Sequence, residues 1–274
     1  MNADDQEEMP SALLDEQSEP MPGDTEPESP PKGHRMLSVI RGVGEVFITV
    51  GALLLLMVAY QLWWTNVEAS QAIAAERQEI ELSWVEPGQS ATPTLSPTSE
   101  PKPVTDKPLK EPAYGTGFAL MYIPRLADKV WGLPITQGTG KDVLTHGAGH
   151  YEDTAMPGGV GNFAVAAHRS SHNEPFANFP DLQAGDKVYV RTKNVWYTYT
   201  LTQDDPNLTP NDVWVIDPVP GFPESEPTKP IITMTTCTPR YGSTGRWAWW
   251  GELTESRYAS DGPPDGINPA VVPF

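Results

Sequence analysis

Cysteine is almost missing from this sequence: of 274 residues, only Cys237 carries a thiol. A single cysteine rules out an intrachain disulfide, so cysteine usage does not assign a redox compartment. It also leaves no second thiolate to complete a common structural zinc set. Basic residues are scarce too. Lys and Arg total 18 against 36 Asp and Glu, a formal net charge of −18, which argues against a nucleic-acid binder that would need a basic face. No internal repeat is present, and the length suits one domain of about 150 residues with extensions.

What the chain does have is unevenly spread. Acids crowd the first thirty residues, among Pro and with few aromatics. Such a segment buries too little apolar surface to offset the entropy of ordering it. Residues 1–45 are therefore expected to be a disordered acidic tail, solubilising rather than docking. Residues 46–64, Val46 to Trp64, are uncharged and just long enough to cross a hydrocarbon core as a helix. Trp63 and Trp64 fall where an interfacial anchor belongs. The run exceeds the apolar core of a signal peptide, and no clear cleavage site follows it directly. Lys32, Arg35 and Arg41 precede the span, and the first basic residue after it is Arg77. The positive-inside bias places the N-terminus in the cytoplasm and the bulk of the chain outside.

Residues 65–112 read as a stalk and linker. Asn66 to Trp84 has helical composition, and Pro87 to Pro112 is mostly Pro, Ser, Thr and Lys. Repeated prolines favour extended polyproline II, a semi-rigid spacer.

From Gly117 the pattern becomes that of short strands, expected over 118–123, 130–135, 162–167, 187–191, 196–202, 213–216, 231–236 and 246–252. Only 141–146 and 174–183 suggest short helices. Many strands with few helices imply a sandwich or a closed barrel over residues 113–274.

The chemistry gathers at two strand ends. Ile231 to Thr236 is β-branched except for Met234 and delivers Cys237; a turn-rich loop then leads to Arg246 at the start of another strand. Asn162 to Ala167 delivers His168. A thiolate is a good acyl-transfer nucleophile, and nearby cations favour it. Imidazole can donate and accept a proton in turn, and a guanidinium can hold an oxyanion. Arg240 lies inside the turn, and Arg169 points to the face opposite His168, so Arg246 is the favoured guanidinium. A lone buried cysteine is the alternative reading of Cys237. His146/His150 and His168/His172 are each four apart, but glycines and loop residues make a helical zinc pair improbable there, and no metal is assigned. His150 instead fixes the loop leading to the His168 strand. Asp204 and Asp205 raise calcium weakly, as a solvated turn would also explain them. Trp247, Trp249 and Trp250 read first as packing residues.

Thr233-Met-Thr-Thr-Cys237 followed by Arg246 resembles the sortase signature Thr-Leu-x-Thr-Cys with an Arg about nine residues on. Asn162 to Arg169 resembles the strand carrying the sortase histidine. Cys-Thr-Pro and Tyr122-Ile-Pro-Arg-Leu126 are most similar to class E sortases. The resemblance covers about Ala113 to Leu253. It implies a closed eight-stranded sortase-type β-barrel with few short helices. It implies a membrane-anchored cysteine transpeptidase that cleaves a Leu-Ala-x-Thr-Gly-like sorting signal between Thr and Gly. The acceptor would be an amine of the peptidoglycan precursor, and no cofactor is needed. Catalysis would fall to Cys237, His168 and Arg246, and substrate binding to Tyr122 and Thr236. A first-strand Tyr is implied to hydrogen-bond the backbone amide that Ala keeps and Pro lacks; an ordinary half-buried tyrosine is the alternative. Rival readings of the chain are a pilin-polymerising sortase with a protein Lys acceptor and a non-catalytic wall-binding barrel.

Overall fold

A computed structural model describes residues 32–85, 104 and 109–268. The acidic residues 1–31 and nearly all of the Pro-rich stretch 87–108 lie outside the described residues. The chain divides into two compact units, Met1–Leu55 and Leu56–Phe274. The described part of the first is helical throughout and belongs to α1, Lys32–Trp84, a helix of 53 residues. Its apolar stretch is long and uncharged enough to cross a membrane. The large residues of that stretch, Phe47, Leu53 and Leu55 among them, are exposed to the surroundings, as a lipid-facing helix requires.

The second unit holds the barrel. Its strands are β1 Gly117–Tyr122, β2 Trp131–Gln137, β3 Ala148–His150, β4 Gly161–Ala166, β5 Lys187–Arg191, β6 Val195–Leu208, β7 Pro230–Thr238 and β8 Gly245–Tyr258. They close in the order β1-β2-β3-β4-β7-β8-β6-β5. Most neighbours are antiparallel, but β2–β3 and β4–β7 are parallel. The strand period of two sorts the side chains. Val195, Tyr197, Tyr199 and Leu201 of β6 enter the interior with Phe163 and Val165 of β4 and Ile232 and Met234 of β7. Each large apolar side chain so buried contributes about 1.5–3 kcal/mol. The Tyr199 hydroxyl accepts the Gly158 N–H at 2.8 Å, so the ring reaches the core centre without an orphaned oxygen.

Three sequence expectations change. Residues 213–216 are a 3₁₀ turn, not a strand. Asp212 accepts the Thr209 N–H at 2.6 Å just before the turn. The Val215 carbonyl accepts Asn162 Nδ2 at 3.2 Å, which seats the turn on the outer wall of β4. The short strand Ala148–His150 was not anticipated, and it restores the number of strands to eight. The expected helix over 174–183 shrinks to a 3₁₀ turn at Phe179–Asp181, because Pro175 and Pro180 interrupt it. The expected short helix near 141–146 is α2, Lys141–Leu144.

Within this unit, the outer end of α1 lies against β1 and β2. Ile80 is buried with Leu120, Tyr122, Tyr189 and Trp196. A Cβ on Gly117 would come within 2.7 Å of Ile80 Cδ1, so glycine there is what admits the helix. Arg77 donates to the Trp131 carbonyl at 3.1 Å. Thr136 donates to Glu76 at 3.2 Å.

Candidate active site

Strands β4, β7 and β8 build one wall. Along β7, Ile232 and Met234 face inward, so by the strand period Thr233, Thr235 and Cys237 face outward. The outward hydroxyls are used: Thr233 donates to Asn162 Oδ1 at 2.7 Å, and Thr235 meets the Tyr151 hydroxyl at 3.0 Å. Cys237 pairs directly with Arg246 across the antiparallel β7–β8 ladder. Side chains directly opposite in such a pair stand about 4.5–5.5 Å apart at Cβ and share a face.

β4 lies on the other side of β7, parallel to it, with Ala166 opposite Thr235. The Ala167 N–H donates to the Thr235 carbonyl at 3.2 Å, extending the ladder. His168 follows two residues after the last β4–β7 pair, as Cys237 follows two residues after Thr235 on β7. Cys237 and Arg246 thus share the outer wall of β7 and β8, and His168 lies just beyond the end of the adjacent β4. Cys237 is half-buried. Arg246 Nη1 donates to the carbonyls of Ser243 at 3.1 Å and Gly245 at 2.9 Å, which aims the guanidinium from the β7–β8 loop.

The two rival guanidiniums are committed elsewhere. Arg240 pairs with Glu174 at 2.6 Å. Arg169 donates to Thr238 Oγ1 at 3.1 Å and lies over the Trp247 ring at 5.1 Å. Burial, and then the charge of Arg240, holds the Arg169 pKa below its ordinary value.

Two expected substrate contacts are not brought to this wall. Tyr122 is on β1, four strands from β7 in either direction around the barrel. Its ring is enclosed beneath α1, with centroids 5.5 Å from Trp131 and 5.4 Å from Trp196. Burial pushes its hydroxyl pKa up to about 12 against the opposing pull of Arg77 and Arg191, and among the described residues that hydroxyl has no hydrogen-bond partner. Thr236 has the inward parity, and its hydroxyl donates to the Ala167 carbonyl at 2.8 Å. It ties β7 to β4 and presents nothing to a peptide outside. Of the tryptophans, Trp249 joins the interior core. Trp250 stacks under Trp214 at 6.0 Å on the outer wall.

The loop expected after His168 has a conformation that the sequence barely announces. Ser171, His172, Asn173 and Glu174 all have positive φ, from 48° to 62°. Consecutive left-handed residues cost roughly 1–2 kcal/mol each, so surrounding contacts must hold them. Those contacts are visible. The Asn173 N–H donates to Asn66 Oδ1 of α1 at 3.3 Å. Lys129 donates to the Asn173 carbonyl at 3.2 Å, and Glu174 holds Arg240. Phe176 is fully buried, and its N–H returns to the His168 carbonyl at 2.9 Å. Only the tolerance of Asn and His for the left-handed region hints at this in sequence. Glu174→Gln is expected to cost less than about 1 kcal/mol of stability, since the pair is partly exposed. Turnover should fall more than that, because the loop carrying His168 loses a tether; thermal melting and steady-state rates on one preparation separate the two.

The loop also lays His172 on His168, ring centroids 4.8 Å apart and planes 21° apart. Burial first, and then the His172 imidazole, holds the His168 pKa below its ordinary 6.5. A depressed folded-state value means that the unfolded chain binds the proton more readily. The associated stability is therefore full above pH about 6.5 and is lost as pH falls toward the folded pKa. Removing one cause, His172→Asn is expected to raise the acidic limb of the kcat/KM profile toward neutral pH, as read from a pH series on the variant.

His150 acts in support. Its Nδ1 meets Gln137 Oε1 at 2.7 Å and its Nε2 meets Thr154 Oγ1 at 2.9 Å, which pins the segment entering β4. Asp204 accepts the Trp247 indole N–H at 2.9 Å, and Asp205 accepts the Asn207 N–H at 2.9 Å. Among the described residues, no group of three or more His, Cys, Asp or Glu is placed to hold a metal.

A thiol opposite a guanidinium, with an imidazole near the end of the adjacent strand, is a set of groups that can form a thioester and resolve it. Comparison with known proteins narrows the class. The Sortase domain family matches residues 121–254. Sortase SrtE2 of Streptomyces coelicolor is 30% identical over 220 residues, covering 78% of this chain and 81% of that protein. Sortase SrtE1 of the same organism is 38% identical over 234 residues, covering 83% of this chain; the chain spans 60% of that protein's length. The structure of the SrtA sortase from Actinomyces oris is similar at a TM-score of 0.58 and 32% identity, covering 63% of this chain and 100% of that one. The chain belongs to the sortase family, whose members are cysteine transpeptidases, and within it is most like class E.

Proposed function

We propose that this chain is a membrane-anchored transpeptidase that cleaves a Leu-Ala-x-Thr-Gly-like sorting signal between Thr and Gly and passes the acyl group to an amine of the peptidoglycan precursor. The observation that supports the reading is the pairing of Cys237 with Arg246 across β7 and β8, with His168 two residues beyond the last β4–β7 pair. The Cys237 thiolate attacks the Thr carbonyl. Arg246 stabilises the tetrahedral oxyanion. His168 gives its proton to the departing Gly amine and later takes one from the incoming amine. Residues 46–64 cross the membrane with residues 1–45 on the cytoplasmic side, and residues 65–112 carry the catalytic domain, 113–274, outward.

The test is mass spectrometry of the full chain incubated with a Leu-Ala-x-Thr-Gly peptide and candidate amines. A Thr-acyl adduct on Cys237 and an amide product are expected. An inert barrel that forms neither would leave only a wall-binding role. Transfer to a protein Lys in preference to precursor amines would point to pilin polymerisation.

A further inference from the structure

One cavity in the barrel unit reaches His172, the neighbour of His168, and is not used by the mechanism above. It measures about 330 Å³ and is lined by Glu68, Ala69 and Ala72 of α1 with Thr145, His146 and His172. His172 is the ring stacked on His168, so one wall of the cavity backs onto the proposed catalytic imidazole. The small side chains at 69 and 72 leave the volume unfilled.

The lining has one sign of charge. No Lys or Arg borders the cavity, and Glu68 is its only carboxylate. Among the described residues, Glu68 has no ion-pair partner. His146 Nδ1 faces the Asp142 carbonyl at 2.7 Å. A carbonyl can only accept, so Nδ1 carries the proton and a neutral ring keeps Nε2 as an acceptor. A carboxylate and an imidazole acceptor with no cation suit a donor-rich positive group and repel an anion.

We propose that this cavity receives the acceptor substrate, a primary ammonium on a small or flexible chain, held by Glu68 and His146 beside the acyl-enzyme. The proposal rests on the transpeptidase reading. The ammonium sheds one proton to solvent, and its nitrogen attacks the thioester carbonyl. The C–N bond forms, the second proton passes to His168, and the C–S bond breaks to release the Cys237 thiolate. The imidazolium and thiolate are then ready for the next sorting signal. Glu68 follows Trp64 by four residues, about one helical turn. With residues 46–64 in the bilayer, the cavity sits at the membrane surface, where a membrane-bound precursor presents its amine.

The test uses the full chain in detergent with a Leu-Ala-x-Thr-Gly peptide and two nucleophiles. Triglycine amide carries an ammonium; hydroxylamine is largely uncharged at neutral pH. The reading is the ratio of transfer product to hydrolysis product. Glu68→Gln is expected to lower the triglycine amide ratio roughly tenfold, the scale of one charge-assisted hydrogen bond, and to leave the hydroxylamine ratio nearly unchanged. Ala72→Leu, which fills the cavity without altering its charge, is expected to lower the triglycine amide ratio too. An unchanged triglycine amide ratio in Glu68→Gln overturns the proposal, and so does an equal loss with both nucleophiles. Wild-type protein that forms no acyl-enzyme at all overturns the transpeptidase reading instead.

Discussion

Cys237→Ala is expected to abolish both peptide cleavage and transfer while the barrel stays folded. The substitution removes the one group able to carry the acyl chain, and no other cysteine can stand in for it. The structural cost is small because Cys237 is half-buried at the outer end of β7, away from the packed interior where cavity penalties are large. Circular dichroism and melting check the fold, and a sorting peptide checks the chemistry. Retained turnover by the folded variant would falsify the assignment of the nucleophile.

Arg246→Lys is expected to lower turnover by about 10²-fold or more, the scale of losing one oxyanion donor. The charge survives, but a point ammonium cannot reproduce the planar fork. In the structure that fork is aimed by two loop carbonyls through Nη1, and a lysine has only one nitrogen to satisfy them and the substrate together. Stopped-flow acylation rates isolate the step. If Arg246→Lys is near wild type while Arg240→Lys is inactive, the wrong guanidinium has been chosen. The geometry speaks against that outcome, since Arg240 is already paired with Glu174.

The three residues proposed to react could be picked out because each lies at or next to the end of a strand whose composition announces it. β4 and β7 are buried on both faces and read as nearly unbroken apolar and β-branched runs. What stayed hidden was decided by tertiary contact. Val213 to Ile216 has strand composition, yet Asn162 and the outer wall capture it as a 3₁₀ turn. Ala148-Gly-His150 has little strand propensity of its own and exists because β2 and β4 flank it. The burial of Tyr122 could not be foreseen either. It depends on Ile80 lying over Gly117, a contact between residues far apart in sequence.

The parallel pairing of β4 with β7 has a consequence for biosynthesis. Ala167 and Thr236, which bond across that seam, are 69 residues apart, and closing so long a separation is entropically slow. Neither strand alone holds half of a working site, because the histidine and the thiol meet only when the seam zips. Arg246 then comes from the strand added beyond Cys237. A nascent chain therefore carries Cys237 without Arg246 opposite it until β8 has been made. The pairing that sets the thiol opposite the guanidinium is therefore among the last that the barrel makes.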